Sequence, residues 1–160
     1  MPAEVRHALA DWTAAELIAG REGLRAVPEA SLHVTLVFLG SREREEADAV
    51  WQAAAEAATG VPAPVLRPRG VVGLPVRRPR VVALDLDDRD GAAGALRAAV
   101  GERCRFRPHV TLARVGRDAE VVVPPGDRTP VGPFTSPAMT LYRSHPHSRY
   151  EPLERLALEP

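Results

Sequence analysis

The stretch that decides the fold is Arg105–Val115, RFRPHVTLARV. It reads as a strand carrying His109 and Thr111 two residues apart. Side chains alternate between the two faces of a strand, so His109 and Thr111 point one way while Val110 and Leu112 point the other. An earlier stretch, Ser31–Gly40 (SLHVTLVFLG), repeats the pattern with His33 and Thr35. Both contain HVTL. Two strands that each present a histidine and a hydroxyl on one face predict a two-lobed acid/base site.

Working outward, a helical segment leads into each of these strands. Residues from Pro2 to about Arg25 read as helical, because Pro2 suits a first helical turn and Val5, Leu9 and Trp12 recur at helical spacing. His7 on this segment reads as a solvated surface residue, and Pro28 closes the segment. Arg42–Thr59 reads as a second helix with a stripe of Ala47, Val50, Trp51 and Ala54, which places Trp51 in the core. Val65–Leu74 and Arg80–Leu86 read as strands. Asp87-Asp88-Arg89-Asp90 offers N-cap candidates for a helix running to about Val100, which Gly101 ends. Beyond the second HVTL strand, residues 116–130 are polar and rich in Pro and Gly, with a short run at Val121–Val123. Phe134–Arg143 and Leu153–Leu158 read as strands. The two HVTL histidines lie 76 positions apart, and the recurrence of helix then strand reads as an internal duplication.

At 160 residues the chain forms one domain, or two small lobes sharing a core. The formal net charge is zero, so any attraction to nucleic acid has to be local. All 21 cationic side chains are arginine, with no lysine and no asparagine, which fits coding bias. Arginine still suits phosphate, since its planar fork presents paired donors. Arg77-Arg78-Pro79-Arg80 reads as a solvated loop between two strands, with contact to a polyanion such as RNA as the alternative. Cys104 is the only cysteine, so no intrachain disulfide is available and a reducing, cytoplasmic setting fits. No apolar run approaches the roughly 18 residues of a membrane span, and the start lacks the apolar core of a signal peptide.

Histidine is the side chain whose ordinary pKa, about 6.5, lets it serve as acid or base near neutrality. One neutral and one protonated imidazole on opposite sides of a substrate remove one proton while donating another. A hydroxyl two residues along is placed to bond an anionic oxygen, and a phosphodiester fits both pairs. A lone HxT in a strand is commonplace. With five histidines and seven threonines, two coincidental HxT pairs have odds of roughly one in fifty. The identical HVTL strings lower that further. His145-Pro-His147 reads as a loop, or a substrate contact. Two histidines with no nearby Asp, Glu or Cys cluster make a poor zinc set.

HVTLVFLG and RPHVTLARV resemble the two signature motifs of the two-histidine (2H) phosphoesterase superfamily. The sequence is most similar to its RNA 2′,3′-cyclic phosphodiesterases, the LigT or ThpR family once named 2′-5′ RNA ligases. PRVVALDL (79–86), TLYRS (140–144) and SRYEPLERLAL (148–158) add to the resemblance, which spans essentially the whole chain. It implies an α+β, bilobal fold in a single domain, with two pseudo-symmetric antiparallel sheets and outer helices around a central groove. It also implies hydrolysis of RNA 2′,3′-cyclic phosphate ends to 2′-phosphomonoesters, with reversible 2′-5′ RNA ligation as a second activity, and neither metal nor cofactor. His33 would be the proton donor and His109 the proton acceptor. Thr35, Thr111 and Arg114 would hold the phosphate.

The family further suggests that Phe38 and Arg114, each five residues past its histidine, flank a nucleobase. In a regular strand that odd offset turns them to the face opposite the histidines; a bulge or the strand end would turn them back. Relatives open with an apolar strand of the RLFVAL kind, whereas this sequence begins at the helix. Either the start codon is placed late or a central strand is missing, which would expose a sheet edge. The partner implied is RNA with a cyclic phosphate end or a cyclic nucleotide, bound by a cytoplasmic monomer without membrane contact. Two rivals remain: a 2H enzyme acting on a small cyclic nucleotide or ADP-ribose cyclic phosphate, and an RNA-end-binding module without activity.

Overall fold

The computed structural model describes residues 1–101, 106–117, 119, 123 and 129–159. In chain order it has α1 (Ala3–Trp12), a π-helical turn (Thr13–Ile18), β1 (Leu24–Ala26), α2 (Arg44–Ala57), β2 (Val65–Leu74) and β3 (Val81–Asp87). After these come α3 (Ala92–Ala99), β4 (His109–Val115), β5 (Phe134–Thr135), β6 (Ala138–His145) and β7 (Arg149–Ala157). β4 lies inside an antiparallel sheet ordered β1-β4-β3-β2-β5, and β6 and β7 form a separate two-stranded hairpin. The α+β class and the two antiparallel sheets agree with expectation, but the sheets are unequal. Among the described residues, one has five strands and the other two.

Strand alternation explains the main core. Val110 and Leu112 of β4 and Leu84 of β3 are wholly buried. They pack against Val5 and Leu9 of α1, Leu17 of the π turn and Ala93 of α3. Each fully buried side chain of this size contributes about 1.5–3 kcal/mol. A second cluster joins Ala54 and Ala58 to Leu96 and to Met139 of the hairpin. The opposite face of the five-stranded sheet is left for side chains that do chemistry.

Several local expectations are corrected. The first helix ends by Ile18 rather than near Arg25, because Gly20 and Gly23 adopt positive φ (69° and 79°) and break the helical path. Gly23 is also where the backbone crowds: its carbonyl accepts the Gly116 N–H at 2.7 Å, and an added Cβ would overlap Ala119. Leu24–Ala26 then joins the sheet as β1. The first HVTL stretch is no strand, and the chain bends at Leu36. A 3-10 turn at Glu29–Ser31 swings the chain off the edge of β4, leaving one antiparallel bridge, Val34 to Val110. The expected strand at 134–143 is split between β5 and β6, and Pro137, which has no N–H to donate, lies in the gap. Trp51 is half-buried, packing against the cluster of Ala54, Ala58, Leu96 and Met139 as expected of a core residue, and it also lines a cavity.

α3 starts later than the Asp87–Asp90 cluster suggests, yet Asp88 does cap it. Its carboxylate accepts the N–H groups of Ala93 (3.1 Å) and Gly94 (2.7 Å). His7 is exposed, as expected, and sits beside Asp11 and Glu29. Cys104, Arg105 and Val121–Val122 lie outside the described residues. Among the described residues, no helix is long and apolar enough to cross a membrane.

Candidate active site

The single bridge between Val34 and Val110 sets the geometry. Both valines pack toward the core, so their neighbours His33, Thr35, His109 and Thr111 take the other face. Continuing the antiparallel register from the bridge, Thr111 lies opposite His33 and His109 opposite Thr35. The histidines are therefore diagonal in a two-by-two array. In a regular pair of strands such diagonal positions are about 7–8 Å apart, a span that one phosphate can bridge between imidazole tips.

Both imidazoles are anchored alike. The Nδ1–H of His33 donates to the Ser31 carbonyl at 2.7 Å, and that of His109 to the Arg107 carbonyl at 2.9 Å. Each acceptor lies two residues upstream. With Nδ1 engaged this way, Nε2 of the neutral ring is the free nitrogen on both histidines. In the resting site the Thr35 hydroxyl donates to Nε2 of His33 at 3.1 Å.

Their surroundings differ. Burial holds the His33 imidazole below the ordinary histidine range, and the charges of His109, the N-terminal amine and Arg114 add to that; the Ser31 hydrogen bond acts the other way. Two tyrosines supply part of the cover. Tyr150 stands edge-on to His33 with ring centroids 4.5 Å apart, and Tyr142 lies at 5.5 Å. They occupy diagonal positions of the hairpin, Tyr142 opposite Pro152 and Tyr150 opposite Ser144. They are the only tyrosines in the chain. On the other side, Arg107 donates from Nε to Asp85 at 2.7 Å, and Asp85 pairs with His109 across β3 and β4.

Arg114 and Phe38 separate. The register of β3 against β4 runs Val82 to Ala113 and then Ala83 to Thr111, so Leu112 is an extra residue. This bulge buries Leu112 and Ala113 in succession and returns Arg114 to the face of His109 and Thr111. The guanidinium donates from Nε to Ser148 Oγ at 3.1 Å. Ser148 sits in the β6–β7 turn, where both it and His147 have positive φ (59° and 64°). Phe38 is 81% exposed. It lines a cavity of about 530 Å³ together with His33, Thr35, Trp51, Tyr142 and Tyr150, whereas Arg114 does not. Arg114 lines a separate recess with Arg25, Gly23 and Gly116.

His145 is bonded to Glu151 at 2.9 Å and His147 is exposed. Among the described residues no three His, Cys, Asp or Glu side chains are grouped to hold a metal ion. The tyrosines were missed in the sequence because nothing local links them to His33, although both lie in stretches that carry the family resemblance.

The pattern of LigT-like phosphoesterases matches residues 1–83. The chain is 32% identical to the RNA 2′,3′-cyclic phosphodiesterase of Escherichia coli K12 over 167 aligned residues, covering 99% of this chain and 92% of that protein. Its fold is similar to a Thermus thermophilus protein of known structure, TT0787 (TM-score 0.75, 29% identity, 99% of this chain and 93% of the other). It is also similar to E. coli LigT, in complex with NADP+ (TM-score 0.72, 30% identity, 100% and 94% covered) and with 3′-AMP (TM-score 0.68, 29% identity, 99% and 93% covered).

Proposed function

The chain belongs to the LigT-like phosphoesterase family, and from that premise we propose that it hydrolyses RNA 2′,3′-cyclic phosphate ends to 2′-phosphomonoesters. The observation that carries the reading is the two-by-two array of His33, Thr35, His109 and Thr111 about the Val34–Val110 bridge. In this reaction a water attacks the phosphorus and gives its proton to Nε2 of His109. The P–O3′ bond breaks, and O3′ takes a proton from Nε2 of His33. Thr35 and Thr111 hold the two non-bridging oxygens as charge grows on them. Arg114 adds a positive charge from the same face.

Burial disfavours the protonated form of His33 in the free protein, yet the donor must carry a proton. The phosphodiester's own negative charge resolves this, since an anion within about 4–6 Å favours the charged imidazole. Substrate binding thus recruits the proton that the leaving oxygen receives, and Thr35 turns from Nε2 to the phosphate. The single cysteine fits a reducing, cytoplasmic setting.

Incubation with a cyclic-phosphate-ended RNA, followed by phosphorus NMR of the product, tests the reading. A 2′-phosphomonoester is expected. A 3′-phosphomonoester, or intact cyclic phosphate, would reject it.

A further inference from the structure

The turn that joins β6 to β7 carries backbone strain. His147 and Ser148 both take positive φ (64° and 59°), the left-handed region that disfavours any residue with a Cβ. Strain of this kind persists where a fold needs a side chain in one particular place. Ser148 shows what the turn delivers, since its Oγ accepts the Nε–H of Arg114 at 3.1 Å. Among the described residues no other side chain bonds that guanidinium. Tyr150, two residues further along, stands edge-on to His33 with ring centroids 4.5 Å apart. One short turn thus reaches both Arg114 and the cover of His33. The two lie close together, because the charge of Arg114 helps to lower the affinity of the His33 ring for a proton.

The chemistry of the holder matters as much as its position. Arg44, Arg69 and Arg107 are each held by a carboxylate, which neutralises them. Ser148 holds Arg114 by a neutral hydroxyl, which leaves the full positive charge for an anion. Arg114 is exposed near the end of β4, and a free arginine there would have to be ordered when substrate arrives. A bond at Nε orders the side chain beforehand and leaves both terminal nitrogens to fork onto an oxyanion. We propose that Ser148 is a positioning residue for the reaction. It holds Arg114 by Nε, with the paired terminal nitrogens turned to the phosphate on the His33 side, where the leaving oxygen departs. The left-handed turn is how the hairpin brings the hydroxyl to that place. The inference rests on the proposed function and gives its site a member outside the two HVTL motifs.

The test is a double-mutant cycle on a 2′,3′-cyclic mononucleotide, with Ser148→Gly, Arg114→Gln and the two combined. Ser148→Gly is expected to lower kcat about tenfold, as for a displaced catalytic group, with a smaller change in KM. Its Tm should hold or rise, because glycine relieves the left-handed backbone. Arg114→Gln should lower kcat at least as much, and adding Ser148→Gly to it should change nothing further. Ser148→Asn should restore most of the rate, since asparagine tolerates this backbone and keeps an acceptor. Wild-type kcat in Ser148→Gly, a loss that adds in full to that of Arg114→Gln, or a fall in Tm that parallels the fall in kcat would overturn the proposal. The Nε–H of Arg114, followed by NMR and assigned by its absence in Arg114→Gln, reads the contact without turnover. Its exchange with solvent should be several-fold faster in Ser148→Gly. No turnover by the wild-type protein would sink the proposed function, whereas equal exchange in both proteins would sink the positioning role alone.

Discussion

The two HVTL segments share four letters and differ in nearly everything else. Residues 109–112 run inside a five-stranded ladder, with Leu112 wholly buried; residues 33–36 touch the sheet through one bridge. The carbonyl that anchors His109 belongs to Arg107, whose side chain is tied to Asp85 across the sheet. The carbonyl that anchors His33 belongs to Ser31, at the end of a 3-10 turn. His33 is covered by two tyrosines, and its pKa is lowered by burial. An identical sequence therefore supplies the same residue types twice, while the surroundings bury one imidazole beneath two tyrosines and tie the anchor of the other to the sheet.

The widest effect should come from the residues the two copies share. His33→Ala and His109→Ala are each expected to lower turnover by about 10²–10⁴-fold, the usual contribution of a general acid or base, with circular dichroism unchanged. Activity near wild type in either variant would remove that histidine from the scheme.

The leucines sharpen the contrast in packing. Leu112→Ala deletes a fully buried side chain from the ladder and should cost about 2–5 kcal/mol of unfolding free energy. Leu36→Ala, at the same place in the other copy but only half-buried, should cost about 1 kcal/mol. Urea denaturation of both reads the difference, and equal losses would mean the two copies are equally embedded.

A smaller effect is expected where the anchors differ. Asp85→Asn releases Arg107 and loosens the carbonyl that holds His109. We expect kcat to fall several-fold, with a change in the pH–rate limb that reports the base and little change in KM. An unaltered pH profile would show that the ion pair does not orient the imidazole.

The weakest effect is on stability against pH. Unfolded His33 takes up a proton near 6.5, whereas the folded, buried ring does so only at lower pH. In that window the unfolded chain binds more protons, so stability falls as pH drops below about 6.5. His7 acts in the opposite sense, because Glu29 and Asp11 raise its pKa. In a His7→Gln background, Tm should therefore fall on acidification, and less so once His33→Phe is added. Identical slopes would contradict the burial account.

How much of this was legible in the sequence follows from how far each cause reaches along the chain. The His/Thr pairs were readable because alternation is local to a few residues. Asp88 was readable as a cap because capping acts over one turn. The failure of 33–36 to become a strand was not readable, since it depends on which edge of β4 the chain meets after the turn at Ser31. The return of Arg114 to the site face hinges on one extra residue in the pairing of β3 with β4, which neither strand's sequence reveals. Tyr142 and Tyr150 reach His33 only once the hairpin has folded over it.

The central claim is that His33 and His109 act on one phosphorus. A crystal structure of the protein soaked with inorganic vanadate, a mimic of the five-coordinate phosphorus, tests this most directly. The account predicts one oxyanion with Nε2 of both histidines and both threonine hydroxyls within hydrogen-bonding distance. Vanadate bound to one histidine alone, or two separate anions each served by one ring, would contradict it.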